Sequence, residues 1–136
     1  MRKINEIIIH CSATRPKQDI GADWIRNIHV NQNGWLDIGY HFVIRRNGVV
    51  ENGRPLDQAG SHCKGHNHDT IGICLVGGLN DDLRPEDNFT DAQWKSLFKL
   101  VDELKTRFAI QKISGHNQYS SKACPCFDVT KKFSHE

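Results

Sequence analysis

The chain has 136 residues and a mass of 15.5 kDa, which is the size of one domain. Hydrophobic residues make up 38% of it, and no uncharged apolar run approaches the roughly 18 residues that span a membrane. The 18 basic and 16 acidic residues are interspersed and leave a formal charge of +2, which argues against binding nucleic acid through its phosphates. We expect a single soluble domain over residues 1–136, with neither membrane nor nucleic acid as its partner.

The N-terminal segment and the cysteines indicate where the chain is made. Basic Arg2 and Lys3 are followed by only three consecutive isoleucines before His10, which is too short for the apolar region of a signal peptide. Five cysteines are an odd number, so they cannot form a fully paired disulfide framework. We therefore expect synthesis in the cytoplasm without a signal peptide, and thiols that act as core residues or metal ligands.

Short apolar segments predict the strands of a sheet. In chain order they are residues 6–10, 40–45, 49–51, 70–76 and 112–114. The second and third are joined through Asn47-Gly48, a strong signal for a hairpin turn. The segment 70–76 is apolar on both faces, which is typical of a central strand covered from both sides.

Two segments have helical periodicity. Residues 22–33 predict a helix that ends at Gly34, and its inward side chains would be Trp24, Ile25 and Ile28. A second helix begins at Thr90 with Gln93 completing a capping box. Its apolar stripe would comprise Trp94, Leu97, Phe98, Val101, Leu104 and Phe108. Strands interspersed with helices predict an α/β domain with a central mixed β-sheet flanked by helices.

Side chains that can bind zinc occur in three separated segments. A hydrolytic zinc site needs three His, Cys or carboxylate ligands and a fourth position open to water. His10 ends the first predicted strand, His116 follows the last one, and Cys124 lies in a Cys-Pro-Cys loop. Strand ends and a rigid loop suit a preorganised site because their backbones are held in place. These three residues are a hypothesis for a metal centre.

Other interpretations compete with this hypothesis. His62, His66 and His68 lie together in a polar, Gly-containing segment, which could hold a metal or form a surface loop along a groove. A single His after a strand is more often a surface or hydrogen-bonded residue than a ligand. Free Cys is often buried as a small hydrophobic residue, which is our expectation for Cys74. The residues alone leave these alternatives open.

Several motifs together resemble a known family of enzymes. They are Ile7–Thr14 (IIIHCSAT), Gly34–Phe42 (GWLDIGYHF), Gly60–His62 (GSH), Ile71–Gly78 (IGICLVGG) and Lys122–Pro125 (KACP). In this order they resemble the zinc-dependent N-acetylmuramoyl-L-alanine amidases, in particular the amidase-type lysozymes of T-odd coliphages. The wider superfamily includes the peptidoglycan recognition proteins. The resemblance covers nearly the whole chain and implies a mixed sheet with a zinc-bearing groove.

The resemblance also implies roles for individual residues. The implied zinc ligands are His10, His116 and Cys124. Tyr40, expected to begin the hairpin strand, and Lys122 match the family's catalytic residues, and His62 is placed near the substrate. An ammonium beside the metal suits stabilisation of the carbonyl oxygen as negative charge develops on it. A tyrosine with an ordinary pKa near 10 is a poor base, so we expect its hydroxyl to orient water or polarise the carbonyl.

The implied function is hydrolysis of peptidoglycan at the amide between N-acetylmuramic acid and the L-alanine of the stem peptide. The implied setting is phage or prophage lysis, by a monomeric enzyme that reaches the cell wall after release. One alternative is a non-catalytic peptidoglycan binder, but such members lack the cysteine ligand and this chain has Cys124. The other is a protein-binding regulator, since the coliphage relatives also bind RNA polymerase.

One residue departs from the coliphage pattern. Cys126 stands where those enzymes have serine, so the metal could bind through either sulfur of the Cys-Pro-Cys loop, or the loop could oxidise. Cys11 and Cys63 add two thiols near the expected groove.

Overall fold

The computed structural model describes residues 2–133 and contains one five-stranded sheet in the order β3-β2-β4-β1-β5. The strands are β1 (Glu6–Cys11), β2 (Phe42–Ile44), β3 (Val50–Asn52), β4 (Thr70–Leu75) and β5 (Lys112–Gly115). The hairpin pair β2 and β3 is antiparallel, and the other neighbours are parallel. The helices are α1 (Ala22–Asn31), α2 (Asp91–Arg107) and α3 (Val129–Lys132). The prediction of an α/β fold with a mixed sheet is confirmed.

The two central strands, β1 and β4, are buried along their whole length. Because successive side chains of a strand point to opposite faces, each strand contributes to two layers. One face carries Ile7 and Ile9 into the large core formed with α2 and α3. The other face carries Cys74 into a smaller core formed with α1. His10 lies on this second face, paired with Cys74 near the carboxyl end of β1.

The first helix differs from its prediction in two ways. It ends at Asn31, two residues before the predicted end, although Gly34 has the predicted left-handed conformation with φ of 73°. Trp24 was predicted to face inward, and this is wrong, since 42% of it is exposed. Ala22 and Ile25 supply the buried contacts of this helix instead. A ten-residue helix needs only a narrow apolar stripe to cover its part of the sheet.

The second helix begins as predicted, with the reciprocal capping box between Thr90 and Gln93. Its apolar stripe was predicted only in part. Phe98 is 37% exposed, whereas Leu100 and Gln93 are buried against the sheet. The aromatic residue lies at the edge of the stripe, where its ring contacts Phe133.

Gln93 is a fully buried polar side chain that connects α2 to the sheet. Its Nε2 donates to the carbonyl oxygens of Ile44 (3.1 Å) and Val76 (2.8 Å). Its Oε1 accepts from the backbone N–H of Thr90 (3.0 Å) and from Arg46 (3.2 Å). One amide thus joins the start of α2 to the ends of two strands.

We predict that Gln93→Leu lowers the free energy of unfolding by about 1–3 kcal/mol, because it removes a helix cap and leaves buried polar groups short of partners. The exposed Lys95→Ala on the same helix should change it by less than about 0.5 kcal/mol. Urea denaturation of both variants measures the difference. Equal stability of the two variants would show that the Gln93 amide contributes nothing.

Candidate metal centre and active-site groove

Three side chains that can bind a metal meet at one edge of the sheet. The ligand atoms of His10, His116 and Cys124 all lie within 4.8 Å of one another. His10 is near the carboxyl end of β1, and His116 directly follows the parallel strand β5. Cys124 comes from the loop that follows. Within residues 2–133 this is the one group of three or more such side chains that meets this spacing.

The donor atoms of this group point at one another. The Sγ of Cys124 lies 3.9 Å from Nδ1 of His10, and the rings of His10 and His116 have centroids 4.6 Å apart. Ligand atoms around one tetrahedral zinc lie roughly 3.4–3.6 Å apart, given bond lengths of about 2.0–2.3 Å. The backbone N–H of Cys11 donates to Sγ of Cys124 at 3.2 Å. Small adjustments of the side chains would therefore let the three donors fit a zinc ion.

The surroundings keep both imidazoles of this group uncharged. Burial, with smaller contributions from His62, His116 and Lys122, holds the pKa of His10 well below its ordinary value. Burial and the charge of Lys122 also lower the pKa of His116. A neutral imidazole has the free lone pair that a metal ligand needs. At neutral pH both rings are therefore ready to bind a metal.

A groove of about 450 Å³ opens beside the metal centre. His116 and Lys122 both line it, and Lys122 is exposed. Its further walls include Trp35, Ser61, Lys64 and Tyr119. The sequence analysis missed these wall residues, because loop side chains without a repeating pattern carry no signal of where they face. His116 of the candidate metal site and an exposed ammonium thus border the same space.

Tyr40 lies at the metal centre but not in a strand. It was expected to begin the hairpin strand, and this is wrong by two residues, since β2 begins at Phe42. Its ring centroid is 5.1 Å from that of His10. Burial, followed by the neighbouring thiols of Cys74, Cys124 and Cys11, raises the pKa of Tyr40 well above its ordinary value. At neutral pH the hydroxyl therefore keeps its proton.

His62 borders the groove from the segment before β4, and its side chain is buried. Its Nδ1 lies 2.8 Å from Nε2 of His10, and its Nε2 lies 3.1 Å from Oγ1 of Thr70. Both ring nitrogens are thus engaged inside the protein. Burial lowers the pKa of His62 to about 3, so the ring is neutral.

Comparison with known proteins agrees with the interpretation of this region as a hydrolytic site. Residues 1–127 match the family model described as N-acetylmuramoyl-L-alanine amidase. The chain belongs to this family. It is 47% identical over 125 residues to the endolysin of Escherichia phage T7, which covers 92% of this chain and 82% of that protein.

More distant relatives share the fold of this amidase. The peptidoglycan-recognition protein SC1a of Drosophila melanogaster is 33% identical over 126 residues, covering 87% of this chain and 65% of that protein. The solved structure of the N-acetylmuramoyl-L-alanine amidase LysC from Clostridium intestinale superimposes with a TM-score of 0.83 at 29% identity. That match covers 98% of this chain and 87% of the other. The expected family and its link to the recognition proteins are confirmed.

The second group of histidines does not assemble in this amidase. His66 stacks on Tyr119, with ring centroids 3.9 Å apart. His68 is exposed and has its Nε2 3.6 Å from Asp69. His62 turns away from both toward His10. The three therefore have separate environments, although they lie within seven residues of sequence.

The two cysteines of the Cys-Pro-Cys loop also have different surroundings. Cys126 donates to the carbonyl oxygen of Gly78 at 3.3 Å, and its Sγ lies 3.9 Å from that of Cys11. Burial raises the pKa of Cys126 to about 12. It therefore stays a neutral thiol, and it lies outside the group formed by His10, His116 and Cys124.

We predict that His116→Ala and Cys124→Ser each lose zinc, whereas Cys126→Ser keeps it, because only the first two remove a donor that points into the group. Metal analysis of the purified variants, after dialysis against equal free zinc, measures this. If instead Cys126→Ser loses zinc and Cys124→Ser keeps it, Cys126 is the sulfur ligand and Cys124 is not.

Proposed function

We propose that this amidase is a zinc enzyme that hydrolyses peptidoglycan between N-acetylmuramic acid and the L-alanine of the stem peptide. The convergence of His10, His116 and Cys124 beside an open groove is the observation that carries the proposal. Two neutral imidazoles and one thiolate suit zinc, and they would leave about one positive charge on the centre. When bound, zinc supplies Lewis acidity for the attack of water on an amide carbonyl.

We assign Lys122 the role of stabilising the reacting carbonyl oxygen. Its ammonium borders the groove and is close enough to His10 and His116 to lower the pKa of both. Attack on an amide places negative charge on the carbonyl oxygen, which a nearby fixed cation stabilises. The exposure of Lys122 leaves its ammonium accessible to a substrate in the groove.

We assign Tyr40 the role of a hydrogen-bonding group at the reacting centre. Its raised pKa means that it contributes an intact hydroxyl instead of a phenolate. An intact hydroxyl can orient the attacking water or polarise the carbonyl by donating to it.

We place the activity in phage lysis, on a cell wall reached after release from the cytoplasm. The similar T7 protein is named an endolysin, which supports this setting. No helix among residues 2–133 has the length and apolar character required to cross a bilayer. The ligands and Lys122 all come from one chain, so a monomer would suffice for catalysis. A non-catalytic binder is less consistent with the intact set of three ligands.

The reaction is tested on isolated sacculi. We expect turbidity to fall with the zinc-loaded protein, to persist after chelation, and to fall again when zinc is restored. The products should carry new amino groups on L-alanine and no new reducing ends. New reducing ends without free L-alanine amines would mean that the enzyme cleaves glycosidic bonds, and would overturn the proposed reaction.

We predict that Lys122→Ala and Tyr40→Phe keep zinc but lower kcat by about a hundredfold, because each removes a group that acts in the transition state. Lys122→Arg, which keeps the positive charge, should be less impaired than Lys122→Ala. The measurement is the steady-state rate on a soluble muropeptide, with zinc content determined in parallel. A parental rate for Lys122→Ala would exclude the electrostatic role.

A further inference from the structure

A network of hydrogen bonds runs from His10 away from the metal centre into the protein. Nε2 of His10 lies 2.8 Å from Nδ1 of His62, and Nε2 of His62 lies 3.1 Å from Oγ1 of Thr70. The Thr70 hydroxyl in turn donates to the carbonyl oxygen of His66 at 2.8 Å. The second ring nitrogen of a metal-binding histidine commonly has such a partner, which sets its tautomer.

The Thr70 hydroxyl, at the end of the network away from His10, sets the donor and acceptor of each hydrogen bond in it. A threonine hydroxyl has one proton, and at Thr70 that proton is directed to the carbonyl oxygen of His66. Oγ1 of Thr70 must then accept from His62, so Nε2 of His62 carries a proton. In a neutral imidazole the other nitrogen, Nδ1, is an acceptor. It accepts from Nε2–H of His10, which leaves Nδ1 of His10 without a proton.

The proposed metal site requires the same direction. Nδ1 of His10 is the nitrogen that faces Cys124, with Sγ at 3.9 Å. If Nδ1 binds the metal, it carries no proton, and Nε2 of His10 must be the protonated nitrogen. Nε2–H then requires an acceptor, which is Nδ1 of His62 at 2.8 Å.

The fold holds the His62 ring closely in this orientation. A Cβ at Gly72 of β4 would lie 2.6 Å from Cγ of the His62 ring, so the ring occupies the space of an absent side chain. The backbone N–H groups of His62 and Cys63 both donate to Oδ1 of Asn67, at 2.9 and 3.0 Å. Thr70 is fully buried. The orientation of the ring is therefore set by packing as well as by hydrogen bonds.

From this geometry we propose that His62 and Thr70 are positioning residues, which fix the tautomer of His10 so that its Nδ1 lone pair faces His116 and Cys124. The proposal rests on the proposed zinc function. It gives His62 a role apart from the expected contact with substrate, because both of its ring nitrogens are engaged inside the protein. His62 acts here through His10 and not on the reacting atoms.

Thr70 separates the two possible roles of His62, because a fully buried side chain cannot touch substrate. Thr70→Val removes the hydroxyl but keeps the size of the side chain, and Thr70→Ser keeps the hydroxyl. We expect Thr70→Val to weaken zinc binding about tenfold or more, in the range usual for partners of metal ligands, and Thr70→Ser to bind within about twofold of the parent. KM on a soluble muropeptide, measured with zinc saturating, should stay unchanged in both.

A second pair of variants tests the role of His62 itself. His62→Leu removes both ring nitrogens and should weaken zinc binding about tenfold to a hundredfold. His62→Asn supplies an oxygen near the position of Nδ1 and should recover part of the loss. Zinc affinity is measured by competition with a chromophoric chelator, and thermal unfolding of the metal-free proteins confirms that each variant is folded.

The tautomer itself is read by nitrogen NMR of ¹⁵N-histidine-labelled protein in its metal-free form. We expect His10 protonated at Nε2 in the parent and in Thr70→Ser, and a mixture of tautomers in Thr70→Val. A parent protonated at Nδ1 of His10, or a Thr70→Val protein with parental zinc affinity, would overturn the proposal. A parent that binds no zinc would instead overturn the proposed function, while the NMR result would still report on the network.

Discussion

The parallel pairing of β1 with both β4 and β5 is the constraint on which the site depends. Ile9 of β1 pairs with Gly115 of β5. His10 and His116 are the next residues along these two adjacent parallel strands. Tyr40 lies at the same place, with its ring centroid 5.1 Å from that of His10. Because parallel strands present their carboxyl ends at one edge, residues more than a hundred positions apart meet there without long side chains.

Burial has two consequences at this edge. It keeps His10, His62 and His116 neutral by lowering the pKa of each, which suits metal binding and directional hydrogen bonds. It also requires every buried polar atom to have a partner, and within residues 2–133 the buried side-chain nitrogen and oxygen atoms all have one. Neutral imidazoles in a fully bonded network have few alternative arrangements, so the donors are held in place before any metal arrives.

The cysteines show how strongly environment separates residues of one type. Cys74 packs in the smaller core, against which Tyr40 also packs, whereas Cys124 lies beside the two histidines. Cys126, two residues away from Cys124, turns instead toward Cys11 and the carbonyl oxygen of Gly78. The sequence analysis left both sulfurs of the Cys-Pro-Cys loop as possible ligands, because spacing alone does not show which way a loop side chain points. The conformation of the loop turns the two sulfurs in different directions.

The sequence by itself determined the strands, the capping box of α2, the α/β class and the family, because periodic burial and local caps act over a few neighbouring residues. It also identified His10, His116 and Cys124 as candidates through motifs. It could not show that Trp24 faces solvent, that Gln93 is buried, or that Thr70 is hydrogen-bonded to His62. Those outcomes depend on contacts between segments far apart in the chain. Only the tertiary structure decided them, since the register of parallel strands and the closeness of a ring to Gly72 leave no local pattern.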